Sequence, residues 1–141
     1  MRIDKSLIEI TEHTGSGYKP LVDFESWRVA ILNDDEAFHC GHTKYLERHT
    51  QTDEIFVLLD GECSLYISNG GDDSLGEIIL LPMEKRKLYN VKKGVWHNLT
   101  STPGTTLLIV ENSNTSADNS DRIPITPDMY YSVSDKWILH F

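Results

Sequence analysis

The chain has 141 residues, 39% hydrophobic and 9% aromatic, a size at which a single core can hold together a single domain. Lysine and arginine total 13 against 22 acidic residues, a formal net charge of -9, which repels phosphate backbones and anionic membranes and so argues against nucleic-acid and membrane partners. No apolar run reaches the roughly 20 residues of a membrane helix. The start, Met1-Arg2-Ile3-Asp4-Lys5, also lacks the apolar stretch of a secretion signal. A soluble, cytoplasmic protein is expected, with Cys40 and Cys63, which fit no zinc-ligand spacing, as free thiols.

From the N-terminus, Gly15-Ser16-Gly17-Tyr18 is too isolated to be a phosphate loop, because no Gly-Lys-Ser/Thr follows it. Short apolar stretches bounded by Gly, Asn, Asp or Pro then predict strands over 27–32, 43–49, 55–59, 64–68, 78–83, 87–91, 96–99 and 106–111. Asp60-Gly61 and the longer Asn69-Gly70-Gly71-Asp72-Asp73 mark hairpin tips. The basic clusters Glu84-Lys85-Arg86-Lys87 and Lys92-Lys93 read as solvated turns between strands. Ile55-Phe56-Val57-Leu58-Leu59 is apolar at every position, which predicts a strand covered on both faces and hence a sandwich or barrel. The polar run 112–122 reads as a surface loop, separating a barrel core over 27–111 from a tail over 123–141. In that tail Thr126-Pro127-Asp128 has the cap, proline and acid of a short helix start. The expectation is one all-β domain over 1–141.

Alternation along a strand puts Glu47, His49 and Gln51 on one face. If that face is the barrel interior, a carboxylate, an imidazole and an amide enter a space otherwise filled by apolar side chains, and such groups need polar partners. Tyr45 shares the face and could donate a hydrogen bond or proton to a substrate oxygen; Phe56 and Leu58 share the face of Glu54 and would shape a pocket. Trp96, alternating with His97, reads as ordinary packing. His39 and His42 flank Cys40-Gly41 ahead of a strand and read as loop residues, and His13 and His140 lie near the termini.

The stretch from Glu47 to Gly61 resembles the first motif of the cupin family, in which a His-x-His pair is followed by Glu and then Gly. Four residues separate His49 from Glu54, and six separate Glu54 from Gly61. Val91-Lys92-Lys93-Gly94-Val95-Trp96-His97-Asn98 resembles the second motif through Gly94 and His97, with Lys92 where proline is usual and Ser101 where Asn is usual. The resemblance implies a cupin-type β-barrel, or jelly roll. It also implies a divalent metal, Fe, Mn, Ni or Zn, held by His49, Glu54 and His97. For the fourth ligand Glu47 keeps the motif spacing, and Gln51 is the alternative. Glu54 and Tyr45 are the candidate catalytic residues. The family includes isomerases, lyases and dioxygenases, so a metal-dependent enzyme on a sugar or small acid is one expectation. A non-catalytic module that binds a small metabolite, or serves as a scaffold, is the other. A homodimer is expected in either case.

Overall fold

The computed structural model of the chain describes residues 2–126. Its strands are β1 (Tyr18–Phe24), β2 (Trp27–Leu32), β3 (Tyr45–His49), β4 (Glu54–Asp60), β5 (Cys63–Ser68), β6 (Ile78–Pro82), β7 (Tyr89–Val91), β8 (Trp96–Ser101), β9 (Thr106–Asn112) and β10 (Ser120–Pro124). They form two five-stranded antiparallel sheets, ordered β1-β2-β9-β4-β7 and β10-β3-β8-β5-β6. The all-β architecture expected from the sequence is what the chain adopts, and each predicted strand has its counterpart. Both basic clusters fall in turns, on either side of β7. Of the expected helix start Thr126-Pro127-Asp128, Pro127 and Asp128 lie outside the described residues, as does the tail beyond them. Among the described residues no helix is long and apolar enough to cross a membrane.

Two edge strands differ from the sequence reading. β1 carries Pro20, beside a register shift against β2, and proline is tolerated at an edge because one side of the strand needs no ladder hydrogen bond. The run 112–122 is not wholly a loop. It holds a 3₁₀ turn at Ala117–Asn119 and the first three residues of β10, which pairs with β3 from Ser120 opposite His49 to Pro124 opposite Tyr45. Its polarity, Ser120-Asp121-Arg122, suits an edge strand whose outer residues stay wet.

The inner faces of the two sheets enclose Ala30, Leu32, Phe56, Leu58, Leu65, Leu99, Leu107 and Ile109. A second cluster of Leu46, Tyr66, Ile78, Leu80 and Trp96, flanked by Leu75 and Ile123, lies on the opposite face of the β10-β3-β8-β5-β6 sheet, because these positions alternate with the inner ones. The β5–β6 connection folds over that face: the Trp96 indole N–H donates to the Gly71 carbonyl at 2.8 Å. Arg48 stacks over the Trp96 ring at 4.7 Å while pairing with Asp72 and Asp121, both at 2.9 Å. All six residues of β8 are therefore buried. β4, predicted to be covered on both sides, buries Glu54, Phe56 and Leu58 inward, but its other face is half-covered and Leu59 is 41% exposed.

Gly61, in the β4–β5 turn, has φ +82°, and a Cβ there would meet Thr105 Oγ1 and lie 2.7 Å from its Cα. Only glycine fits both the backbone conformation and the space. Gly94 has the same φ of +82° with open space around it.

Candidate metal and ligand site

Each of four strands brings polar side chains to one end of the barrel interior. On β3, Glu47 and His49 point inward together, and Glu47 lies directly opposite His97 of β8. On the facing sheet, Glu54 opens β4, and Glu111 follows Leu107 and Ile109 on the buried face of β9. Pairing of Ile55 with Val110 sets Glu54 and Glu111 side by side across those two strands. The imidazoles converge on one atom: His49 Nε2 and His97 Nε2 each lie 2.8 Å from Glu54 Oε2. The ring centroids are 5.2 Å apart, and Phe56 packs edge-on against His97 at 5.9 Å. Around His49 Nε2, Glu111 Oε2 stands at 3.8 Å and Glu47 Oε1 at 3.9 Å.

The remaining ring nitrogens are engaged as well. His97 Nδ1 donates to the Val95 carbonyl at 2.9 Å; a carbonyl only accepts, so this nitrogen carries hydrogen. His49 Nδ1 is 2.8 Å from the Ser120 hydroxyl of β10. Glu111 is fixed through Oε1, which accepts from Tyr18 Oη at 2.9 Å and from Arg28 Nη2 at 2.7 Å. Arg28 is tied in turn to the Ser113 and Thr115 carbonyls at 3.3 and 3.2 Å.

These contacts set the charges. Burial by itself would raise the Glu54 carboxyl, but hydrogen bonds from His49 and His97 override it and hold the group down at about 2. Burial would depress the His49 imidazole, yet the hydrogen bond and charge of Glu54, helped by Glu47 and Glu111, leave it above the ordinary 6.5. Glu111 is pushed up, first by burial and then by the charge of Glu54, against the pull of Arg28 and Tyr18. The Tyr45 hydroxyl is raised by burial and by Glu47, so it stays protonated.

The cluster forms one wall of a cavity of about 610 Å³, open to solvent, with Tyr45, Asn98 and Arg122 also on its lining. The Arg122 guanidinium lies 4.2 Å over the Tyr45 ring and 3.7 Å from Glu47. No family model matches the chain, and no curated protein matches it in sequence. Solved structures do match in shape. A cupin-2 domain protein from Shewanella frigidimarina superposes with TM-score 0.50 at 15% identity, over 77% of this chain and 87% of that one. Pac13, a nucleoside dehydratase from Streptomyces, superposes with TM-score 0.55 at 10% identity, over 82% and 86%. A 3,4-ketoisomerase from Helicobacter canadensis gives 0.51 at 15% identity, over 77% and 74%. The chain has a cupin fold.

On this cupin scaffold His49, Glu54 and His97, drawn from three strands of two sheets, meet as the sequence expects, with Glu47 at their margin. Gln51 does not join them. It lies beyond the end of β3, exposed, where its Oε1 accepts from Asn114 at 3.2 Å. Tyr45 lines the cavity. His39 and His42 stand apart from the site, paired with Asp34 and the Glu36 carbonyl. Sequence reasoning missed Glu111, Arg28, Tyr18 and Ser120. Glu111 was accessible, because period-two alternation from Leu107 through Ile109 already puts it on the inner face. Ser120 was not, since it sits in the run taken for a loop.

The donor set fits a divalent cation. With Nδ1 of each ring engaged outward, a neutral His49 or His97 presents the Nε2 lone pair inward, the arrangement seen where imidazole ligands are oriented by outer hydrogen bonds. The ligand atoms of Glu47, His49 and His97 lie within 4.8 Å of one another, as do those of His49, Glu54 and Glu111. Imidazole and carboxylate donors without thiolate suit Fe, Mn, Ni or Zn.

Proposed function

We propose that this cupin is a divalent-metal-dependent enzyme acting on a small hydroxy or sugar acid, of the isomerase or lyase kind. The observation that carries the reading is the meeting of two buried imidazole Nε2 atoms on a single Glu54 oxygen, 2.8 Å from each, at the wall of an open cavity. His49, His97, Glu54 and Glu47 would hold the ion, which when bound polarises a substrate carbonyl or hydroxyl. The chain's own groups do the rest. Arg122, at the rim, suits a substrate carboxylate, for which the planar guanidinium offers paired donors. Tyr45, kept protonated by burial and by Glu47, donates a hydrogen bond to a substrate oxygen. Glu47, at the margin of the cluster and less tied than Glu54, is the carboxylate available to take a proton from beside that oxygen.

A second reading, a module that binds a metabolite without catalysis, is favoured by the same triangle seen differently. His49 and His97 already satisfy Glu54, so the cavity wall is electrostatically complete without an ion. Elemental analysis of the purified protein separates the two. Near-stoichiometric Fe, Mn, Ni or Zn is expected, falling at least tenfold in His97→Ala, whereas an unmetallated protein with unchanged content in the variant would leave only the binding module.

A further inference from the structure

We propose that Glu111, outside both motif stretches and on the sheet facing His49 and His97, supplies the anchored oxygen ligand of the cation site. The inference rests on the reading of the cavity as a cation site and adds to it a residue from β9.

Three carboxylates compete for that place, and their surroundings differ. Glu54 Oε2 is engaged by both imidazoles. Glu47 approaches His49 Nε2 at 3.9 Å, but its side chain is 25% exposed and its second oxygen lies 3.7 Å from Arg122 Nε, itself on a side chain that is 61% exposed. Glu111 is buried, and its two oxygens have separate tasks. Oε1 accepts from Tyr18 Oη, from Arg28 Nη2 and, at 3.3 Å, from Arg28 Nε. Oε2 accepts no hydrogen bond from a described residue and faces His49 Nε2 at 3.8 Å. Because Arg28 is tied to two backbone carbonyls, a continuous chain of hydrogen bonds runs from the backbone to Oε1 and so fixes the carboxylate that carries the open oxygen. Preorganisation of this sort lowers the entropy lost when a ligand atom is fixed. Charge points the same way: Glu54 and Glu111 stand side by side in a buried setting, and a cation shared between them removes their mutual repulsion.

Cobalt(II) serves as the probe, because its visible absorption reports ligand number and type. The purified chain, stripped of metal, is titrated with Co²⁺ alone, following absorbance and heat. The wild type is expected to take up one ion. Glu111→Gln is expected to weaken binding tenfold or more and to change the visible band, Glu47→Gln to weaken it less, and Tyr18→Phe, which removes one tether from Oε1, to weaken it several-fold. An unchanged affinity and band in Glu111→Gln would overturn the assignment while leaving the cation site standing; no uptake by the wild type would overturn both. Should circular dichroism show Glu111→Gln unfolded, Tyr18→Phe decides, and wild-type affinity in that variant counts against Glu111.

Discussion

Protonated His49 and ionised Glu54 form a buried ion pair, and the directions of their two shifts give the metal-free protein a definite pH response. The folded His49 value lies above its ordinary 6.5, so its contribution to stability is complete below pH 6.5 and is lost as pH rises through the folded value. The folded Glu54 value lies below its ordinary 4.5, near 2, so its contribution is complete above pH 4.5 and is lost as pH falls toward 2. The pair therefore stabilises most between about pH 4.5 and 6.5. Urea unfolding of metal-stripped protein from pH 6 to 9 is expected to show a midpoint that falls with rising pH, and His49→Gln should flatten that fall. A wild-type midpoint that rises over the same range would contradict the charge assignment.

At the level of strands and turns, the two motif glycines make a matched comparison. Gly61 and Gly94 share φ +82°, but only Gly61 abuts the Thr105 backbone. Replacing Gly94 by Ala costs the left-handed conformation alone, about 1 kcal/mol. Replacing Gly61 adds a clash that neither backbone can relieve cheaply, so a loss of ~3 kcal/mol or more is expected. Chemical denaturation of the two variants checks the difference, and equal losses would show that Thr105 moves aside. Strands with apolar alternation and glycine-bounded ends were legible from sequence, and so were His49, Glu54 and His97, because motif spacing and side-chain alternation agreed. Two of the four edge strands, β1 and β10, were not. β1 contains a proline and β10 begins with three polar residues, features that suit a sheet margin but read as loop when the pairing partner is unknown. The doubly covered strand is β8, not β4. β4 looks buried because it is rich in Leu, Val and Ile, whereas the outer face of β8 presents Trp96, whose cover comes from a distant segment. That cover depends on Arg48 reaching Asp72 and Asp121, long-range pairings that composition does not reveal.

Across the whole molecule, the site hangs from elements of unequal security. His97 belongs to β8, which is central in its sheet and buried throughout, while the Ser120 partner of His49 belongs to β10, an edge strand bonded on one side only. Local opening takes place where the fewest bonds and buried contacts must break. Deuterium is accordingly expected to enter the amides of β10 well before those of β8, as read by mass spectrometry of peptic fragments, and simultaneous exchange of the two would argue against a graded structure. Fraying of that margin would release the outer nitrogen of one imidazole while the other ring keeps both its partners, so the barrel has a stationary jaw and an adjustable one, the adjustable jaw resting on Glu54 and on a serine of the edge strand.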